Sequence, residues 1–233
     1  VALVNDDRLA ELGRNLGALR ERIAAIRDPD GVTIVAVSKT WPPSDVLLLN
    51  RLGASDFGEN YDAEAAQKAA ALEAMGVTPR WHFVGHLQRN KARSVATYAD
   101  VVHGLDRTES VVALANGAAR AGREVTGLVQ VRYDEDPRRY GVAPEDALAL
   151  ADEIAATATV RFGGLMCIAP REMPARPVFA KLRALGEAVR RDHPDATTLS
   201  MGMTRDLEDA LREGANCVRV GTALFGERQS PVG

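Results

Sequence analysis

The feature that most restricts the fold is an alternation. Short β-branched runs give way repeatedly to longer Ala- and Leu-rich stretches with apolar residues every three or four positions. Strands are expected near 33–39, 54–57, 81–84, 101–104, 125–133, 160–168, 198–200 and 217–220. Helices are expected near 43–52, 62–75, 90–97, 108–121, 144–155, 177–191 and 206–213. Such alternation implies a parallel sheet with right-handed crossovers. Eight repeats in 233 residues suggest an α/β fold closed into a single (β/α)8 TIM barrel, for which about 250 residues is typical. The structural alternative is an open doubly wound sheet.

An additional helix precedes the first strand. Leu9, Leu12, Leu16, Leu19, Ile23 and Ile26 form one apolar stripe, and "RDPDG" ends it with Pro and Gly. No Ser/Gly-rich linker interrupts the chain. One domain over 1–233 is therefore expected, with the N-terminal helix at about 5–27 and the barrel at about 32–226. Asp106 with Glu109 reads as a capping box, Pro144 as a first-turn proline, and the Gly of "EGANC" as a helix stop.

Composition narrows the function. A formal charge of −3 and a pI of about 5.9 argue against a nucleic-acid or membrane-surface binder. No apolar stretch reaches membrane-spanning length, and "VALVNDDRLA" lacks a signal-peptide pattern. Cys167 and Cys217 lack metal-type spacing, which fits a reducing, cytoplasmic setting. Both are expected to be small core residues.

The chemistry starts at "IVAVSKT", residues 34–40, an apolar run that ends on Lys39. Barrel strands open onto the active-site face at their C-terminal ends. Alternation puts Val35, Val37 and Lys39 on one side and Ile34, Ala36 and Ser38 on the other. A lumenal Lys39 would be desolvated, its pKa lowered, and its amine made nucleophilic toward carbonyls. The competing reading is a lysine snorkelling out of the barrel mouth.

Two Gly-containing turns follow the last two strands: "LSMGMTRDL" at 199–207 and "VRVGTALFG" at 218–226. Barrels often bind phosphate between the loops after strands seven and eight. Ser200, Gly202, Gly221 and Thr222 stand where such a cup would form, although ordinary strand-to-helix turns would use the same residues. Arg219 lies in the apolar eighth strand on the side of Gly221, and a buried Arg requires an anion or strong acceptor. His82, His86 and His103 lie at or near the ends of strands three and four without metal-ligand spacing. Structural or hydrogen-bonding roles are expected for them. The "DEDPRR" charges read as a solvated loop. A Schiff-base lysine beside a phosphate cup suggests a ligand with an aldehyde and a phosphate, and pyridoxal 5′-phosphate (PLP) meets that description.

The stretches "VAVSKT", "FGENYDAEAAQK", "WHFVGHLQRNK", "GLMCIAP" and "LSMGMTRDLEDALREGANCVRVGTALFG" extend from about 32 to 226. Together they resemble the pyridoxal phosphate homeostasis protein family, single-barrel relatives of the alanine racemase N-terminal domain. The resemblance implies a fold-type III PLP barrel with an N-terminal helix and a Schiff base on Lys39. It implies the phosphate on Ser200, Gly202, Gly221 and Thr222, Arg219 beside the pyridine nitrogen, and Asn60 near the ring. It also implies a role in intracellular vitamin B6 homeostasis without a dedicated reaction, with PLP-dependent apo-enzymes as recipients and a monomer or weak homodimer as the assembly. Two positions depart from the common pattern: Thr204 stands where serine is frequent, and Arg139 where many relatives have lysine.

Carrier and enzyme remain separate expectations. A PLP racemase needs a proton acceptor on each face of the substrate, and in alanine racemase one comes from a C-terminal β-domain for which this sequence leaves no room. A guanidinium at the pyridine nitrogen also disfavours ring protonation and weakens the electron sink. Both points favour a carrier. A racemase-like enzyme and a class I aldolase-like Schiff-base barrel are the alternatives.

Overall fold

The eight strands hydrogen-bond in chain order, and the last returns to the first, so the sheet is closed. They are β1 (Thr33–Val37), β2 (Asp56–Glu59), β3 (Arg80–Phe83), β4 (Val101–Leu105), β5 (Val125–Val131), β6 (Val160–Cys167), β7 (Thr198–Ser200) and β8 (Cys217–Val220), all parallel to their neighbours. The computed structural model describes residues 6–136 and 138–227. Closure removes the open-sheet alternative, and the β1–β8 seam pairs Val35 with Arg219 and Ala36 with Val220.

Nine α-helices are described: α1 (Asp6–Ala24), α2 (Pro43–Arg51), α3 (Asp62–Glu73), α4 (Ala92–Tyr98), α5 (Thr108–Ala121), α6 (Ala147–Ala155), α7 (Ala175–Val189), α8 (Leu207–Arg212) and α9 (Thr222–Phe225). α1 buries Leu12, Leu16, Leu19 and Ile23, its expected apolar stripe. Each such side chain contributes about 1.5–3 kcal/mol when fully buried. This helix packs against α2, α8 and α9. Its expected first residue, position 5, lies outside the described residues.

Some boundaries differ from the expectations. β2 starts at Asp56, two residues late, because Ala54 donates its N–H to Leu49 O and closes the end of α2. β1 stops at Val37 because residues 38–41 form a turn closed by Trp41 N–H to Ser38 O. The capping box at Asp106 does not form. α5 starts after Arg107, and the Asp106 carboxylate accepts from Arg107 and from the Gly141 N–H. Pro144 opens a 3-10 turn that leads into α6.

The main apolar core lies between the sheet and the helices and includes Ala36, Phe57, Val102, Val129, Leu165 and Val220. Inside the barrel a second apolar cluster joins Val101, Leu128 and Met166, with Ile168 beside it. The lumen also holds buried polar groups: His82, His103, Ser200 and Arg219. No helix among the described residues is long and apolar enough to cross a membrane.

Candidate functional site

Lys39 stands on the turn after β1 rather than in the strand, half-buried at the C-terminal face. The next residue, Thr40, has φ of 70°. A β-branched residue in that region is strained, and its second-corner position here would ordinarily favour glycine or asparagine. A buried ionic knot holds the turn in place. Lys68 of α3 donates to Ser38 O, Glu59 Oε1 and Glu64 Oε1, each at 2.7 Å. Those three acceptors use the whole donor capacity of an ammonium. Ser38 Oγ donates to Glu59 Oε1 at 2.6 Å, and the Thr40 N–H donates to Glu64. Ser38 therefore faces α3, the side assigned to it by strand alternation. Burial raises the Glu59 carboxyl above its ordinary range, and hydrogen bonds from Lys68 and Ser38 offset this only in part.

The turns after β7 and β8 meet beside Lys39. In-register pairing of β1 with β8 brings the ends of the two strands together, and a Cβ on Gly221 would sit 3.2 Å from Val37 O. Gly202 has φ of +90°, and a Cβ there would approach that of Ala210 to 2.4 Å. Gly202 thus requires glycine, and at Gly221 a side chain would crowd the end of β1. Thr204 Oγ1 accepts from the Ala223 N–H at 3.4 Å and links the two turns. Thr222 is exposed at the start of α9. The far end of α9 is held by α1, where Asn15 donates to Leu224 O and Arg8 to Phe225 O. Trp41, from the Lys39 turn, stacks on Phe225 at 5.6 Å. The N-terminal helix therefore braces the cup from behind, and the Trp41 stack ties the cup to the lysine turn.

Ser200 is placed differently from the expected phosphate donor. Its side chain is fully buried in the lumen. Arg219 Nη1 donates to Ser200 Oγ at 2.5 Å and to Ser200 O at 2.8 Å, and Nη2 donates to Cys167 O at 2.9 Å. Ser200 Oγ also lies 2.9 Å from His103 Nδ1. The hydroxyl is committed below the mouth because the lumenal parity of β7 aims it at Arg219. Arg219 is itself buried, and no carboxylate among the described residues lies within ion-pair distance of it. Burial works against its charge and pushes the Cys167 thiol up to about 12 and that of Cys217 to about 11. Both cysteines are free thiols buried in the core. Asn60 follows β2, half-buried, with its carbonyl against Gly85.

One lysine, two glycine turns and a buried guanidinium thus converge at the C-terminal mouth. The family described as alanine racemase, N-terminal domain, matches residues 9–229. The pyridoxal phosphate homeostasis protein of Mycobacterium leprae is 38% identical over 241 residues, covering 94% of each chain. This chain belongs to the pyridoxal phosphate homeostasis protein family. Among solved structures, PipY of Synechococcus elongatus without PLP matches with a TM-score of 0.84 at 34% identity, over 92% of this chain and 100% of that one. The same protein with PLP bound matches with a TM-score of 0.81 at 32% identity and the same coverage. Alanine racemase of Clostridium difficile, at 15% identity and a TM-score of 0.71, shares the fold over 95% of this chain and 58% of its own.

In this member of the pyridoxal phosphate homeostasis family, several buried polar residues escaped identification as individual site residues. Glu59, Lys68 and the partly buried Glu64 lie within "FGENYDAEAAQK", of which only Asn60 was singled out. The available signal was a lone lysine among alanines on the helix's buried side. His82 and His103 do hydrogen-bond, to each other, at 2.9 Å.

Proposed function

We propose that this protein binds PLP as a Schiff base on Lys39 and acts as a carrier in vitamin B6 homeostasis, without a dedicated catalytic reaction. The observation that carries this reading is Arg219, a buried guanidinium with no carboxylate partner among the described residues, beneath a mouth shared by an amine and two glycine turns. The residues fit the cofactor. Gly202 and Gly221 let the two turns pack closely at the mouth, where their backbone N–H groups can serve a phosphate, and Thr222 adds an exposed hydroxyl. In this reading Gly202, Gly221 and Thr222 hold the phosphate. Asn60 lies near the ring, and Ser200 serves the site through Arg219. The PLP-bound PipY structure supports the assignment of ligand.

When bound, PLP supplies an electron sink whose strength depends on protonation of its ring nitrogen. In this reading Arg219 would face that nitrogen with a donor and a positive charge, which would disfavour its protonation and weaken the sink. That is the basis for a carrier rather than a general PLP enzyme. PLP-dependent apo-enzymes are the recipients this reading implies.

The test is a visible spectrum of the purified protein with added PLP, followed by borohydride reduction and peptide mass analysis. A yellow protein with the adduct on Lys39 is expected. A colourless protein that instead traps a phosphorylated keto sugar on Lys39 would favour the aldolase-like reading.

A further inference from the structure

Behind Arg219 a hydrogen-bonded chain crosses the lumen. Ser200 Oγ lies 2.9 Å from His103 Nδ1, His103 Nε2 lies 2.9 Å from His82 Nδ1, and His82 Nε2 lies 2.8 Å from Asp56 Oδ1. We propose that Ser200, His103, His82 and Asp56 form a relay of fixed polarity that positions Arg219 as an immobile cation at the floor of the site. The role at the cofactor rests on the PLP reading above; the polarity of the chain does not.

The two ends dictate that polarity. Arg219 can only donate, and the Asp56 carboxylate can only accept. His82 Nε2 must therefore carry a proton toward Asp56. A neutral His82 then accepts at Nδ1, so His103 Nε2 donates to it. A neutral His103 accepts at Nδ1, so Ser200 donates its hydroxyl proton there and receives the Arg219 N–H on a lone pair. Every link is satisfied, and each imidazole carries its proton on Nε2.

The competing arrangement makes His82 an imidazolium, reverses the His103 tautomer and turns the Ser200 hydroxyl proton away. It would place a second cation in the lumen already occupied by Arg219. The charged groups facing the histidine pair are Asp56 of β2, Arg80 of β3, Asp100 before β4 and Arg219 of β8. Burial lowers the pKa of His82 and takes that of His103 well below the ordinary range, which agrees with two neutral rings. Asp56 stays below its ordinary carboxyl range. Burial opposes this, but hydrogen bonds from His82 and Ser55 and the nearby charge of Arg80 prevail.

The consequence falls on the guanidinium. Ser200 O, Ser200 Oγ and Cys167 O take three of its five N–H groups and fix its plane. The other two are left as oriented donors. Without the Ser200 hydroxyl, one of these anchors is lost and the relay is cut from Arg219.

The first arm of the test needs no cofactor. Nitrogen-15 NMR of the histidine-labelled protein should show His82 and His103 neutral, protonated on Nε2, between about pH 5 and 8, the range in which unperturbed histidines titrate. An imidazolium, or an Nδ1–H tautomer on either ring, overturns the relay. In the same state the Arg219 Nη resonances should be resolved in wild type and Ser200→Thr, and averaged in Ser200→Ala. Equal behaviour of all three overturns the positioning role. In the second arm, with PLP bound at equal occupancy, the ring-nitrogen resonance should shift and become pH-dependent in Ser200→Ala, and Ser200→Thr should restore it. An unchanged Ser200→Ala spectrum overturns the proposal at the cofactor. Failure of wild type to take up PLP overturns the functional reading instead, and the first arm then decides the relay alone.

Discussion

Replacing Lys68 by methionine removes the centre of the knot under the Lys39 turn while keeping a long, flexible side chain. The loss is large because solvent cannot compensate. The Lys68 side chain is 5% exposed and that of Glu59 is 0%. Three charge-assisted bonds vanish, Glu59 Oε1 keeps only Ser38 as donor, and Glu59 Oε2 has no hydrogen-bond partner among the described residues. Removing one member of a buried pair costs about 3–5 kcal/mol, since the other charge stays uncompensated. With an unfolding entropy of about 0.5 kcal/mol/K for a chain of this length, Tm should fall by about 6–10 °C. The assay is thermal and urea unfolding of the PLP-free protein across pH. Burial already raises the Glu59 pKa in the folded state, and losing Lys68 raises it further. A group with a raised folded pKa contributes stability that is present below its unfolded value and lost as pH rises through the folded value. Both proteins share the same unfolded value, so the deficit of Lys68→Met should be small in acid and grow as pH rises through the raised Glu59 value of the folded wild type. Adding Glu59→Gln should recover at least half of it. A deficit below about 1 kcal/mol at neutral pH, where the surface-pair range begins, would refute the reasoning, as would a double variant no more stable than the single one.

Lys39→Ala should abolish the visible PLP band and the borohydride-trapped adduct, and trapping on another lysine with Lys39 intact would exclude the assignment. Thr222→Ala should weaken PLP binding by about tenfold to a hundredfold, the loss of one bond to a charged acceptor at about 1.5–3 kcal/mol. Binding of unphosphorylated pyridoxal should hardly change, and titration of both ligands separates the outcomes. Arg219→Glu should favour a protonated ring. The α-proton exchange of amino acids in deuterated buffer, compared at equal PLP occupancy, should then stay level or rise; rapid wild-type exchange that disappears in the variant would indicate a racemase-like enzyme. Asp56 has a lowered folded pKa, so its contribution to stability is present above the unfolded carboxyl value and is lost as pH falls below about 4. Asp56→Asn should flatten that acid limb in urea unfolding, and an unchanged limb would count against the His82–Asp56 link.

Periodic patterns report which side of one element is buried, and these were legible in the chain itself. The strand–helix alternation, the Leu12–Leu16–Leu19–Ile23 stripe of α1 and the glycines at 202 and 221 are local signals, and the barrel followed from them. The position of Lys39 at the end of the first strand was equally local. Partnership across the barrel was not. His103 and Ser200 are separated by 97 residues, and their 2.9 Å contact exists only because closure brings β4 and β7 to face each other over the lumen. Ser200 looked like a phosphate donor because its turn chemistry fits one, but inter-strand register aimed its hydroxyl at Arg219 instead. Lys68 sits on a helix whose sequence does not by itself mark it as buried, and only the packing of α3 on the β1 and β2 ends placed it beneath the turn. Periodicity along one element cannot encode these choices, because each depends on where a second, distant element stops.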